Sequence, residues 1–287
     1  MAAGVVAVVA LLVFAQSSEA NVGCGRQAAG KEIVTGTRII NGQWATPYSW
    51  PWLVSQNWGG NNGHFCGGAL LRVRDTVEAS DIVLTAGHCL VVPEGGTWLV
   101  NAGQHWQSYT YDIQQRKVIR YKRHAAYTSF TQNDIMLLKL DKPINFTENI
   151  RPICLPAFRE PLPTNLRCMV AGWGRTDKDD ETKMADILQQ LPMPVYSEAQ
   201  CSNIWGSVFN SSVALCAGPL DGTAATCTAD SGGILACRRA DGSWTQYGIV
   251  SFGVSGVCVW QGYPPVFTRV ANYIDWIQQG VRELSGL

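Results

Sequence analysis

Charge is what this sequence has least of. Its 287 residues carry 22 Lys+Arg against 22 Asp+Glu, 15% of the chain, for a formal net charge of zero. So sparse and balanced a set excludes a general electrostatic grip on nucleic acid, and no Lys/Arg run suggests a local one. C-x-x-C spacing is also absent, which leaves a zinc ribbon or a thioredoxin-like motif without its ligands. Beyond the N-terminus no apolar stretch approaches the roughly 20 residues of a spanning helix. Internal repeats and low-complexity segments are missing too. With 46% hydrophobic residues, 29 Gly and 11 Trp, disorder and coiled coil are excluded, and the length allows a sizeable core.

What the chain does have is ten cysteines, an even number, at 24, 66, 89, 154, 168, 201, 216, 227, 237 and 258. Five disulfides are the natural reading, and they demand an oxidising compartment. The N-terminus agrees. Val5 to Ala15 is an apolar run too short to span a bilayer, and Ser18-Glu19-Ala20 places small residues at the cleavage positions, so residues 1–20 read as a signal peptide. The expected product is secreted and extracellular, with no membrane partner. Asn145-Phe146-Thr147 and Asn210-Ser211-Ser212 are then candidate glycosylation sites.

Short apolar runs recur between Gly, Pro and Asn clusters. They fall at 50–55, 69–73, 81–86, 98–103, 117–121 and 134–140, then, past a Pro-punctuated stretch, at 168–174, 188–196, 213–218, 232–237, 244–253 and 265–270. Two sets of six strands predict an all-β protein of two β-barrels or sandwiches. At the C-terminus Val270, Tyr273, Ile274, Ile277 and Val281 lie on one face of a helix.

Three segments carry chemistry: Leu84-Thr85-Ala86-Gly87-His88-Cys89, Asn133-Asp134-Ile135-Met136-Leu137-Leu138, and Cys227-Thr228-Ala229-Asp230-Ser231-Gly232-Gly233. A serine hydroxyl is a poor nucleophile at neutral pH; it needs an adjacent base, and the base needs an orienting carboxylate. His, Asp and Ser in that chain order, each at an element boundary, fit a protease triad, in the order of the chymotrypsin template. An α/β-hydrolase is excluded, because its elbow needs Gly where Ala229 stands and Ser ahead of His.

With Arg38-Ile39-Ile40-Asn41-Gly42, Ser49-Trp50-Pro51-Trp52, Cys66-Gly67-Gly68, Gly172-Trp173-Gly174, Gly248-Ile249-Val250-Ser251 and Phe267-Thr268-Arg269-Val270, these motifs resemble the chymotrypsin/trypsin-type serine proteases, nearest the chymotrypsin/elastase-like group. The likeness runs from Cys24 onward. It implies two packed six-stranded antiparallel β-barrels, about 39–150 and 151–287, with a C-terminal helix. It also implies roles: Ser231 the nucleophile, His88 the proton shuttle, Asp134 the tautomer holder, and the Ala229 and Ser231 amides the oxyanion hole. The implied disulfides are Cys66–Cys89, Cys168–Cys237, Cys201–Cys216, Cys227–Cys258 and Cys24–Cys154, the last tethering a propeptide, residues 21–38.

A trypsin-like activating protease cutting after Arg38 would free the Ile39 amine to pair with Asp230, as in similar zymogens. The likeness puts Ala225 and Thr226 at the base of the specificity pocket, Gly253 and Pro265 on its flanks, and Ser251, Phe252 and Gly253 on the substrate-pairing edge. Without a carboxylate at the base, the expected residue before the cut is apolar, aliphatic or aromatic. The expected partners are polypeptide substrates and protein protease inhibitors, for a monomer with no cofactor. No metal is expected either, since the stretch matching the calcium loop of some relatives, 104–115, offers only Asp112. Three departures stand out: Ala229 where the family has Gly, Gly87 where it has Ala, and Ile234 where it has Pro. Ala229 opens an alternative, a catalytically weak protease-like binding or regulatory protein.

Overall fold

The computed structural model describes residues 23–33, 43–59, 63–74, 76–91, 96–129, 131–177, 180, 182–254 and 258–286. The expected signal peptide, Arg38 and Ile39 lie outside them.

After a two-residue strand β1 (Gln43–Trp44), six strands follow: β2 (Leu53–Trp58), β3 (His64–Leu70), β4 (Ala79–Thr85), β5 (Trp98–Ala102), β6 (Gln114–Arg123) and β7 (Met136–Asn145). They close into an antiparallel barrel in the order β2-β3-β4-β7-β6-β5. Alternation fills it, because side chains two apart share a face: Ile82 and Leu84 on β4 and Met136 and Leu138 on β7 are all fully buried.

The second half supplies β8 (Arg167–Gly172), β9 (Gln189–Pro192), β10 (Ala214–Cys216), β11 (Ile234–Arg238), β12 (Trp244–Phe252) and β13 (Val266–Arg269). These form an antiparallel sheet ordered β1-β9-β8-β11-β12-β13-β10. The sheet has seven strands where six were expected, because β1, which precedes the barrel, pairs with β9. Among the described residues only the first ring is closed by hydrogen bonds. The terminal helix appears as α2 (Ile274–Ser285), burying Ile274, Ile277 and Leu284 and ending on Gly286 in the left-handed conformation.

Several boundaries moved for local reasons. Trp50 to Trp52 makes a turn before β2 instead of starting it. Strand β3 begins at His64, ahead of the apolar run at 69–73, and holds two glycines that a pattern search penalises. Both are needed there: a Cβ on Gly67 would lie 2.9 Å from the Gly233 Cα, and one on Gly68 would lie 2.7 Å from Val83. An unforeseen helix, α1 (Glu198–Trp205), opens on a capping box in which the Ser197 hydroxyl and the Gln200 side chain each satisfy the other's backbone amide.

All five cysteine pairs form as the family likeness implied, and no cysteine is free. The Cys24–Cys154 bond is not alone in tying down residues 23–33. Gly25 exchanges backbone hydrogen bonds with Pro152 and Trp244, Arg26 pairs with Asp241, and Ala28 and Ile33 are buried. Of the two sequon asparagines, Asn145 is exposed, and the Asn210 side chain accepts from the Ser212 amide at 3.0 Å.

Candidate active site

Antiparallel register brings His88 and Asp134 together. Thr85 on β4 faces Met136 on β7, so the residues just beyond the one and just before the other become neighbours. His88 lies in the single 3-10 turn Gly87–Cys89 that ends β4. Asp134 follows Asn133, whose φ of +52° is held by hydrogen bonds from the Tyr273 hydroxyl and to the Ala126 carbonyl.

The Asp134 carboxylate is buried and accepts three hydrogen bonds. Its Oδ1 accepts the His88 amide at 2.8 Å, and its Oδ2 accepts His88 Nδ1 at 2.7 Å and the Ser251 hydroxyl at 2.5 Å. The Thr268 hydroxyl donates to the Asp134 carbonyl at 2.7 Å. A carboxylate can only accept, so His88 Nδ1 carries the hydrogen of this bond. Ser251 was expected only as a substrate-pairing residue; its contact with Asp134, 117 positions away, has no local sequence signal.

Ser231 comes from the other half, on the loop before β11. Its carbonyl accepts the Gly67 amide of β3 at 2.8 Å, which ties the loop across to the barrel. His88, Ala229 and Ser231 line one cleft of about 500 Å³. Among the described residues, neither the Ala229 nor the Ser231 N–H has a hydrogen-bond acceptor. The Thr228 carbonyl is taken by the Arg175 amide at 2.9 Å, and in a trans peptide N–H and C=O point in opposite directions. Ala229 N–H therefore points away from Arg175. Ala229 itself holds φ +71°, the region that glycine favours, where a Cβ costs roughly 1–2 kcal/mol.

A residue not anticipated from the sequence sets the other side of Ala229. His64 Nε2 lies 3.0 Å from the Ala229 carbonyl and its Nδ1 lies 2.7 Å from the Ser55 hydroxyl. The carbonyl only accepts, so Nε2 bears the hydrogen and Nδ1 accepts from Ser55. Burial pushes the His64 pKa down to about 4, which keeps this neutral form.

Asp230, next to Ser231 in the chain, is partly buried. It accepts the Gly174 and Cys227 amides, each at 2.9 Å, and burial raises its pKa to about 6. No cation among the described residues pairs with it. The carboxylate presses so closely on Gly172 and Gly174 that a Cβ at either would come within 2.1–2.4 Å of it.

The expected pocket residues are split. Thr226, Ser251, Phe252 and Gly253 line the cleft beside Ser231, and a Cβ on Gly253 would meet open space. Ala225 lines an adjoining cavity of about 50 Å³ with Gly172, Gly174 and Asp230, and Thr226 lines both. Pro265 is absent from both linings; it packs on Gly218 and accepts the Ala217 amide. Cleft walls that sequence reading missed are Trp58 and Phe65, stacked at 4.3 Å on the barrel side.

Gly87 also acquires a reason. A Cβ there would lie 3.1 Å from the Tyr127 ring, 3.3 Å from the Arg123 side chain and 3.3 Å from Asp134 Oδ1. The ring and the guanidinium stack beside His88, where the family's usual methyl would crowd them.

The family model described as Trypsin matches residues 39–277. Chymotrypsin-C from Rattus norvegicus is 35% identical over 267 residues, which span 90% of this chain and 94% of that protein.

Proposed function

The chain belongs to the trypsin family of serine proteases and is a serine endopeptidase, and from that premise we propose how its residues divide the work. Ser231 attacks the scissile carbonyl, His88 takes its proton and later returns it to the leaving amine, and Asp134 keeps the imidazole in the tautomer that can do so. The carrying observation is the Asp134 carboxylate, which receives three hydrogen bonds and orients His88 from both its amide and its ring. The unspent N–H groups of Ala229 and Ser231 are the donors for the oxyanion.

Ala229 supports turnover more than the alternative of an inactive binding protein. It holds the positive φ of the glycine it replaces, and its N–H faces away from Arg175 with no acceptor among the described residues. The cleft wall of Trp58, Phe65, Thr226 and Phe252 carries no carboxylate, which favours an apolar residue before the cut. The molecule is secreted as a zymogen. A trypsin-like cut after Arg38 frees the Ile39 amine, and Asp230, partly buried and without a cation among the described residues, receives it.

Cleavage at Arg38, confirmed by a new Ile39 terminus, followed by titration with a fluorophosphonate, tests the whole scheme. One equivalent of label on Ser231 is expected. Absence of label on correctly cleaved protein sinks the enzymatic assignment, and labelling before cleavage at the same rate sinks the zymogen.

A further inference from the structure

Strand β6 places five cations in ten residues, Arg116, Lys117, Arg120, Lys122 and Arg123, and no carboxylate. Val118, Ile119 and Tyr121 break this cluster in the sequence, but the folded strand brings it back together. A register shift between Val118 and Arg120 interrupts the alternation, so Lys117, Ile119, Arg120, Tyr121 and Arg123 are all exposed. Lys117 to Arg123 spans about 20 Å of extended strand.

The neighbouring acids offset one of the five cations. Glu283 of α2 pairs with Lys122, Asp81 of β4 pairs with Lys139, and Asp141 of β7 accepts the Lys117 amide at 2.9 Å. Among the described residues no carboxylate lies within 4 Å of the charged groups of Arg116, Lys117, Arg120 or Arg123. The Arg116 guanidinium is held instead by the Pro143 and Gln115 carbonyls, which fix its direction and leave its charge. Like charges crowded on one strand are destabilising, and in a chain of zero net charge nothing general explains them.

We propose that the outer face of β6 binds a linear sulfated polysaccharide. The row of guanidinium and ammonium groups matches an extended polyanion, and such basic clusters are a recognised footprint for one. Ile119 and Tyr121, 56% and 50% exposed, lie between the cations and offer apolar surface to sugar rings. The five disulfides place the folded chain in an oxidising compartment, where polysaccharide is a polyanion at hand.

The test uses the uncleaved full chain and size-defined heparin oligosaccharides, with affinity followed against salt. Binding at about 0.15 M ionic strength is expected, with log K falling linearly in log salt. The pair K117S/R120S should lose about tenfold or more in affinity and roughly two units of slope. R167S/R238S, which removes the same charge from the second sheet, should change neither. Thermal unfolding checks that both variants are folded. No binding by the wild type, equal losses in both variants, equal displacement by duplex DNA, or binding to phosphatidylserine vesicles but not to heparin would each overturn the proposal. The readout needs no proteolysis, so its failure leaves the protease assignment intact.

Discussion

The Ala229 carbonyl receives the Nε2–H of His64 at 3.0 Å, although 165 positions separate the two residues. The bond pins the peptide that follows Ala229, so the loop carrying the proposed oxyanion donors is steadied from the barrel. His64→Leu removes the donor and leaves a carbonyl unsatisfied, a loss of about 1–3 kcal/mol. The expected result is a fall in kcat of about tenfold, with KM nearly unchanged, in steady-state kinetics on an apolar peptide substrate. An equal loss confined to KM would assign His64 to substrate binding instead.

Ala229→Gly relieves the positive φ, a gain of roughly 1–2 kcal/mol, set against roughly 0.4–1 kcal/mol from the looser unfolded chain. The variant should therefore unfold at the same temperature or slightly higher, and its kcat should hold or rise. A drop in turnover would mean that the methyl itself serves the site.

Gly87→Ala presses a methyl toward Tyr127, Arg123 and the Asp134 carboxylate. Turnover should fall about threefold to tenfold through displacement of the His88–Asp134 pair, a cost of about 1 kcal/mol in overpacking. The double variant Gly87→Ala with Tyr127→Ser gives the methyl room and should recover part of the loss. If it recovers nothing, the crowding explanation is wrong.

Two partly buried groups act on the pH stability of the uncleaved chain in opposite directions. Asp230 has a folded pKa of about 6, above its ordinary 3.8, so it contributes stability that is complete below about pH 4 and is lost as pH rises through 6. His64 has a folded pKa of about 4, below its ordinary 6.5; its contribution is complete above 6.5 and is lost as pH falls through 4. Asp230→Asn isolates the first. By denaturant unfolding the variant should gain on the wild type from pH 4 to 6, plateau above about 7, and fail to activate after cleavage at Arg38. In the cleaved wild type the Ile39 ammonium, with an ordinary pKa of about 7.7–8.0 raised by its partner, should confer activity that is lost reversibly in alkali. Activity unchanged up to about pH 11 would count against that pairing.

Much of this molecule is legible in its residues because the relevant signals are short. LTAGHC, NDIMLLKL and ADSGG each lie at a strand end, and the spacing of Val270, Tyr273, Ile274 and Ile277 reads as a helix. Helix α1 has an equally local signal, the capping box of Ser197 and Gln200, but the apolar run before it carries a strand pattern. Strand β6 was read too short at 117–121, because its ends are Gln and Arg. Other features have no local signature at all. Neither β1 joining β9 nor Ser251 reaching Asp134 can be read before the chain is folded, since each contact spans more than a hundred positions.

The hydrogen bond from the Gly67 amide to the Ser231 carbonyl crosses between the two halves. On the proposed triad, His88 and Asp134 emerge early in synthesis and Ser231 only near its end, on the far side of that bond. A nascent or half-assembled chain therefore holds a base without a nucleophile and cannot digest its neighbours. Completion of the fold is itself a safeguard, earlier than any cut at Arg38.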